Sequence, residues 1–414
     1  MLYQIYELQK AWLASASAVA SVGAEWLGNP RNPLGYTGFG PAISSAMEVF
    51  AHAASPRAKP GFGIESVVCG GKAFEVVESD VHHKPFGNLK RFSHKGLPAD
   101  APRLLVVAPM SGHYATLLRG TVERMLESSE VYITDWADAK LVPLSEGRFD
   151  LDDYIDYIIE FLEFIGPGTH VVAVCQPSVP AFAATAVMAE DKHPCRPATL
   201  TMMGGPIDTR ETPTEVNDMA TTRPMEWFKH NLIQTVPLHY PGAGRSVYPG
   251  FLQLAGFMSM NLGNHMMSHY AMFKHLVVGD GESAEATKIF YDEYLAVCDM
   301  TAEFYLQTVN AVFKEHLLPR GLFNHRGRNI DPGAITDTAI LCIEGERDDI
   351  SGVGQTKAAI KLTPNLPDAM KLYHLAPSVG HYGIFNGSKW RSLIAPIVEN
   401  WMAEHRRGRL QAVA

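Results

Sequence analysis

From residue 103 onward the sequence alternates between short, mainly apolar runs and segments with helical periodicity. The apolar runs cover residues 103–108, 130–134, 170–174 and 198–203, and turn residues follow them. A short run without polar alternation is typical of a strand that is covered on both faces of a sheet. Strands of this kind that alternate with helices predict an α/β fold with a mostly parallel central sheet.

The segments between the runs supply the helices that flank this sheet. Residues 152–165 carry apolar side chains at helical spacing and end at the turn residues Gly166, Pro167 and Gly168. A further helical pattern covers residues 181–188. Because ligands of parallel sheets bind beyond the carboxyl ends of the strands, the residues that directly follow each strand are the candidates for function.

The alternation stops between residues 207 and 333, where the sequence becomes rich in Met, Tyr, Phe and His. We interpret this segment as a helical insertion, because the strand–helix rhythm resumes at 338–343. An insertion late in a parallel sheet is expected to lie over the strand ends as a cap. The predicted organisation is an N-terminal helical extension (1–60), the first part of the core (61–206), the cap (207–333) and the second part of the core (334–414).

Composition excludes several classes of protein. The 414 residues are 46% hydrophobic and carry a net charge of −9, which fits a globular chain. The only basic cluster is Arg406, Arg407 and Arg409, so nucleic acid is not an expected partner. The five cysteines are scattered without a CxxC pair, so we expect neither a disulfide framework nor a cysteine zinc site, and a cytoplasmic location fits best.

The Ala-rich segment from residue 2 to 27 resembles an export signal only superficially. It lacks a positively charged start and contains Glu7, Lys10 and Glu25, so we predict an ordinary helix. No run in the sequence approaches the ~18 apolar residues of a membrane span, and no transmembrane segment is expected. Packing on the sheet and attachment to an apolar surface both remain open as the role of this helix.

The strongest local signal is residues 172–178 (VAVCQPS), which place Cys175 on a tight turn between a buried strand and a helix. The helix N-terminus favours a reactive thiolate there, and the backbone N–H of Gln176 is a candidate oxyanion donor. Lipase-type turns have Gly at the positions of Ala173 and Pro177. Ala is the next smallest residue, and Pro is accepted in a first helical turn. The alternative is an inert buried cysteine.

Two further positions follow predicted strands near the end of the chain. Residues 343–350 (IEGERDDI) offer Asp348 or Asp349 as a carboxylate that orients a histidine, whereas Glu344, Glu346 and Arg347 are interpreted as a solvated loop. Residues 378–383 (SVGHYG) place His381 in a glycine-flanked loop, where histidine is the natural general base. Each alone has a bland alternative, a charged loop tip or an incidental histidine. Their chain order, Cys, Asp, His, is that of an α/β-hydrolase.

Residues 109–114 (PMSGHY) follow an earlier strand and are candidates for the second oxyanion donor, through the backbone N–H of Met110 or Ser111. Ser111 is also a weaker candidate nucleophile. His265 and His269 would share a helix face, but no HExxH glutamate or third ligand accompanies them, so we predict cap packing and no metal.

Several of these segments together resemble one family, the intracellular polyhydroxyalkanoate (polyhydroxybutyrate) depolymerases. The resemblance extends over most of the chain, through residues 109–122 (PMSGHYATLLRGTV), 174–177 (VCQP), 203–208 (MGGPID), 344–352 (EGERDDISG) and 380–385 (GHYGIF). The related polyester synthases also use a cysteine, but in a Gly-x-Cys-x-Gly box, and this chain has Ala173 and Pro177 instead.

The resemblance implies an α/β-hydrolase that hydrolyses storage polyester on cytoplasmic granules without a cofactor. It implies Cys175 as nucleophile, His381 as general base and Asp348 as acid, with Asp349 as the alternative acid. The granule surface and its polymer chains are the implied partners. Left open are a polyester synthase or acyltransferase, a non-catalytic granule coat, coenzyme A as an acceptor in place of water, and the oligomeric state.

Overall fold

The computed structural model describes residues 2–29, 32, 39–260, 262–277 and 280–406. Most of the Gly/Pro-rich connection that follows the first helix lies outside these residues, as do Arg407 and Arg409 of the basic cluster.

Within the described residues, a nine-stranded sheet runs through the middle of the molecule. Its strands are β1 (Ser66–Cys69), β2 (Lys72–Lys84), β3 (Gly87–His94), β4 (Arg103–Val107), β5 (Glu130–Trp136), β6 (His170–Val174), β7 (Thr199–Met203), β13 (Ala339–Gly345) and β14 (Lys371–Ala376). The remaining short strands are β8 (Gln234–Thr235), β9 (Ser246–Tyr248), β10 (Met300–Thr301), β11 (Asn324–His325) and β12 (Arg328–Asn329).

The order across the main sheet is β1-β2-β3-β5-β4-β6-β7-β13-β14. From β5 to β14 all neighbouring strands are parallel, whereas β1, β2 and β3 form an antiparallel edge. Every residue of β6 and β7 is buried, as expected of strands that are covered on both faces of a parallel sheet. The predicted mostly parallel central sheet is therefore confirmed.

The α-helices flank this sheet and form most of the segment before β13. They are α1 (Leu2–Gly28), α2 (Gly40–Ala54), α3 (Arg119–Met125), α4 (Leu151–Ile165), α5 (Ser178–Glu190), α6 (Glu215–Thr222), α7 (Met225–Leu232), α8 (Gly250–Met260), α9 (Leu262–Val277), α10 (Gly281–Tyr294), α11 (Ala302–Thr308), α12 (Ala358–Leu362), α13 (Gly387–Lys389) and α14 (Ala395–Glu404). In α4, the capping box of Asp150 and Asp153 fixes the start, and the apolar stripe faces the core.

The segment from 207 to 333 is mainly helical but also contains short strands that the sequence pattern did not indicate. Strands β8, β9 and β10 form a small antiparallel sheet, and β11 pairs with β12. These strands have two or three residues each, too few to show a period-2 pattern. The small sheet joins the two ends of the α8–α10 region, because β9 lies just before α8 and β10 lies after α10.

Helix α1 has an unusual distribution of side chains. It buries mostly small residues, Ser17, Ala20 and Ala24, against α2, and the hydroxyl of Ser17 donates to the carbonyl of Ala51 at 2.6 Å. Its larger apolar residues are exposed, with Leu8 at 74% and Trp12 at 68% of their full accessible surface. No helix in the described parts of the chain is both long and apolar enough to cross a membrane.

Candidate active site

Cys175 lies on a strained turn between β6 and α5. Its φ is +66°, a left-handed conformation that costs a residue with a side chain roughly 1–2 kcal/mol. The backbone N–H of Cys175 donates to the carbonyl of Met203 on the next strand at 2.7 Å, which fixes the turn. A Cβ at Gly205 would overlap the hydroxyl of Ser178, so only glycine allows the neighbouring chain to approach this closely.

Asp348 and His381 form a buried pair beside this turn. The Nδ1–H of His381 donates to Oδ2 of Asp348 at 2.7 Å, and both side chains are almost completely buried. The other carboxylate oxygen, Oδ1, accepts the backbone N–H groups of Ile350 and Ser351 at 2.9 and 2.8 Å. Three donors therefore hold the carboxylate in one orientation, and the carboxylate in turn fixes the imidazole.

His381 also forms a hydrogen bond with Cys175, so the three side chains make one connected group. Burial alone would lower the pKa of His381. The charges of Cys175 and Asp348, with the hydrogen bonds to both, outweigh burial and raise the pKa of His381 well above its ordinary value.

Of the two candidate acids, the structure brings Asp348 to the histidine. Asp349 is exposed, and its charge acts on Tyr294 and Tyr382 instead. The one-residue register in this loop follows from Asp348 Oδ1, which accepts the N–H groups two and three positions later and so turns the chain back on itself.

Glu344 does not lie in a solvated loop, and that interpretation was wrong. Its side chain is fully buried at the end of β13. Its oxygens accept the N–H groups of Gly354 and Thr356 at 2.8 and 2.7 Å, the N–H of Lys357, and the hydroxyl of Tyr373. Glu346 and Arg347 are exposed as expected. A buried carboxylate with four donors thus closes the loop that carries Asp348.

Gly204 is a further residue of the site that the sequence did not single out for a role. Its φ is +60°, and a Cβ there would lie 3.1 Å from Cε1 of His381 and 3.2 Å from Oδ2 of Asp348. The same Cβ would also press on Ile384 at 2.9 Å. The position therefore requires glycine for both conformation and space. The available signal was the Gly-Gly pair directly after β7.

The loop at 109–114 starts from a firmly held point. The carbonyl of Ala108 accepts hydrogen bonds from the indole of Trp136 at 2.8 Å and the hydroxyl of Tyr154 at 3.0 Å. The backbone N–H of Met110 donates to Oε1 of Gln176 at 3.2 Å. The structure thus brings Met110 and Gln176 together, next to Cys175. Ser111 lies half-buried in the same loop.

The helical segment also contacts this loop. The Nε2 of His113 pairs with the carbonyl of Tyr294 at 3.1 Å, and burial lowers the pKa of His113 to about 4, so the ring stays neutral. The backbone N–H of Cys298 donates to the carbonyl of Gly112 at 2.8 Å. Tyr294 also packs against Tyr382, which follows His381. Residues between 294 and 298 therefore join the loop after β4 to the histidine loop.

Among the described residues, no group of three His, Cys, Asp or Glu side chains is arranged to hold a metal ion. His269 stacks on Tyr291 with ring centroids 4.2 Å apart. The side chain of His265 is not among those that the structure describes.

A mostly parallel sheet with Cys175 on a strand–helix turn, and with the Asp348 and His381 loops after later strands, defines an α/β-hydrolase. Residues 204–406 match the family described as PHB de-polymerase C-terminus. This part of the chain therefore carries a domain of the family that the resemblance of its motifs predicted.

The solved structures that resemble the chain are distant hydrolases. A monoacylglycerol lipase from Paleococcus ferrophilus is 11% identical, with a TM-score of 0.44 and coverage of 77% of this chain and 99% of that one. A thermophilic esterase from Thermogutta terrifontis is 12% identical, with a TM-score of 0.40 and coverage of 85% and 100%. Likenesses at this level say nothing about the reaction of this chain. None of the curated protein sequences matches it.

Proposed function

We propose that the protein hydrolyses ester bonds of poly-3-hydroxyalkanoate, of the short-chain polyhydroxybutyrate type, with Cys175 as nucleophile, His381 as general base and Asp348 as the residue that orients it. The observation that carries this proposal is the connected hydrogen-bonded group of these three side chains on a strained strand–helix turn. An ion-paired thiolate is a strong nucleophile at neutral pH.

In the first half of the reaction, Sγ of Cys175 attacks the carbonyl carbon of an ester unit. The developing oxyanion is stabilised by the backbone N–H of Gln176 and, in the loop at 109–114, by that of Ser111, because the N–H of Met110 is donated to Gln176. His381 donates its proton to the alkoxide of the departing chain. One C–O bond breaks, one C–S bond forms, and a 3-hydroxyacyl thioester remains on Cys175.

In the second half, water replaces the departed chain. His381, now neutral, takes a proton from this water as it attacks the thioester carbonyl. The thiolate of Cys175 leaves, and the free 3-hydroxy acid is released. The proton on His381 and the thiolate of Cys175 then form the ion pair again. Asp348 keeps the imidazole in one tautomer through both halves, because Nδ1–H remains donated to its carboxylate.

The test measures release of 3-hydroxybutyrate from native amorphous granules by the wild type and by Cys175→Ala. We expect release by the wild type and none by the variant, with the fold preserved. Cys195→Ala is the matched control, since Cys195 is another partly exposed free cysteine, and it should retain full activity.

Other outcomes would assign the chain to another class. Retained release by Cys175→Ala, with loss in Ser111→Ala, would make Ser111 the nucleophile. Polymer growth from 3-hydroxybutyryl-CoA would indicate a polyester synthase. Granule adsorption without any released acid, unaffected by changes at Cys175, Asp348 or His381, would indicate a coat protein.

We further propose that α1 attaches the enzyme to the granule in the cytoplasm. The apolar residues Ile5, Leu8, Trp12, Val19, Val22 and Trp26 recur at intervals of three, four or seven along the helix and are all exposed, and we call them the α1 apolar face. A groove of about 770 Å³ beside it is lined by apolar side chains of α1, α2 and α9. A contiguous exposed apolar surface of this kind fits a solid, uncharged polymer.

The charges on α1 favour a neutral polymer over an anionic membrane. The helix carries only Glu7, Lys10 and Glu25 as charged residues. A helix that binds anionic lipid is normally rich in Lys and Arg on its polar face. The apolar contribution alone is therefore expected to drive attachment.

A further inference from the structure

The side-chain amide of Gln176 bridges the space between the Cys175 turn and the loop at 109–114. Its Oε1 accepts the backbone N–H of Met110 at 3.2 Å. Its Nε2 is buried and has no hydrogen-bond acceptor among the described residues. Native proteins pair nearly all their buried donors, so a buried amide nitrogen without an acceptor requires a reason.

The orientation of this amide is determined by its neighbour. A backbone N–H is only a donor, so Met110 selects the oxygen of the Gln176 amide and turns the NH₂ group away from the loop. The loop is itself held at Ala108 by Trp136 and Tyr154. The NH₂ group is therefore fixed before any substrate arrives, which is the condition for strong stabilisation of a developing charge.

The hydrogen bond also changes what Met110 is able to do. Because its N–H is donated to Gln176, Met110 has no free backbone donor for a substrate oxygen. The NH₂ group of the Gln176 side chain is a donor that takes its place. Gln176 directly follows Cys175 in the sequence, so its side chain and its own backbone N–H belong to the same strand–helix turn as the proposed nucleophile.

We infer that Nε2 of Gln176 is a catalytic hydrogen-bond donor to the oxygen of the tetrahedral intermediate. Met110 does not contact the substrate oxygen. It is a positioning residue that orients the Gln176 amide. The inference rests on the proposed function and adds to it a side-chain donor. The bonds that form and break in the reaction are unchanged.

The test compares two substitutions with different chemistry. Gln176→Glu retains an oxygen that accepts the N–H of Met110 but replaces the NH₂ donor, and Gln176→Leu removes both groups. On a soluble 3-hydroxybutyrate ester we expect kcat to fall about 10²-fold or more in both variants, with KM changed by less than about threefold. If Gln176→Glu keeps kcat within about threefold of the wild type, the side chain only holds the loop and the inference is overturned.

A second measurement separates the oxyanion donor from the nucleophile. A trifluoromethyl ketone analogue of the substrate forms a tetrahedral oxyanion adduct with a thiolate, whereas iodoacetamide alkylates the thiolate without any oxyanion. In Gln176→Leu we expect ketone affinity to fall about 10²-fold while the alkylation rate of Cys175 stays within about twofold. An equal fall in both would mean a distorted turn and would contradict the inference.

The wild type distinguishes failure of the inference from failure of the proposed function. If Cys175 of the wild type reacts with neither reagent, the cysteine mechanism itself is rejected. If the wild type reacts with both reagents and Gln176→Leu binds the ketone as well as the wild type does, only the role of Gln176 is rejected.

Discussion

Strands β6 and β7 differ from helix α1 in whether their large apolar side chains are buried. Every residue of the two strands is buried, and the polar groups of the site appear only where the strands end. Apart from Tyr3, helix α1 buries small residues and exposes large ones, such as Val19 at 72% of its accessible surface. The strands gain stability by removing apolar surface from water, whereas α1 leaves that free energy available for contact with something else. The strands hold the proposed catalytic residues in place, and α1 carries the surface that we propose contacts the polymer.

The largest effect in this comparison is expected at the end of β13. Asp348→Asn should lower kcat/KM by roughly 10³- to 10⁴-fold, because the imidazole loses its orienting carboxylate. It should also lower the pKa of His381, since the charge of Asp348 helps to raise that pKa. Steady-state kinetics on a soluble ester and a pH titration would measure both effects.

The matched control is Asp349→Asn, one residue further along the same loop. Asp349 is exposed and lies in the same loop as Asp348. The same substitution there should therefore leave kcat/KM close to that of the wild type. The reverse result, loss in Asp349→Asn and activity in Asp348→Asn, would assign the acid to the other residue.

A smaller effect is expected from Gly204→Ala, which places a methyl group against His381 and Asp348. The left-handed backbone and the crowding should lower stability by about 1–3 kcal/mol and kcat by about tenfold or more. Urea unfolding and steady-state kinetics would measure the two losses. Gly61→Ala is the control, because a Cβ there meets nothing within 4 Å. Equal activity of the two variants would show that the histidine tolerates displacement.

These core features differ in how far the sequence could predict them. Cys175, Asp348 and His381 each lie in the segment that follows a strand, and their order along the chain indicates a shared site. The burial of Glu344 is not visible in the sequence, because its charged neighbours Glu346 and Arg347 are typical of an exposed loop. Only the fold shows that four donors meet its carboxylate. Segments far apart in the sequence make the contacts of Gly204 and the hydrogen bond between Gln176 and Met110. A local sequence pattern does not predict such contacts.

The α1 apolar face gives the next prediction. Replacing Leu8, Trp12 and Val22 with Ser should weaken binding to polyester granules by about tenfold or more, because apolar area drives attachment. Activity on a soluble ester should not change. Granule sedimentation with parallel ester assays would measure the two quantities.

Val68 and Val77 supply the control for this surface. They are exposed apolar residues on β1 and β2, at 61% and 55% of their accessible surface, and lie outside the α1 apolar face. Val68→Ser with Val77→Ser should leave granule binding unchanged. If this control weakens binding as much as the α1 variant does, attachment is nonspecific and the proposed role of α1 is wrong.

The smallest effect is expected where α1 joins the rest of the molecule. The hydroxyl of Tyr3 donates to Asp299 at 2.5 Å, and burial, with the charge of Asp138, raises the pKa of Asp299 to about 6. A raised pKa means that the protonated form stabilises the fold. This stabilisation is complete below the unfolded-state pKa of about 4 and is lost as pH rises through about 6.

Asp299→Asn should remove this pH dependence. Relative to the variant, the wild type should gain on the order of 1–3 kcal/mol of unfolding free energy between about pH 7.5 and about pH 4.5. Chemical denaturation at several pH values would measure the difference. A difference that is constant with pH would show that Asp299 does not titrate in this range.

The most direct test of the central claim is to trap the covalent intermediate. A soluble 3-hydroxybutyrate ester is mixed with the enzyme, the reaction is quenched in acid during turnover, and the digested protein is analysed by mass spectrometry. We expect one 3-hydroxyacyl group on the peptide that contains Cys175, and hydroxylamine should remove it as it removes a thioester. An acyl group on the peptide that contains Ser111, with Cys175 unmodified, would contradict it.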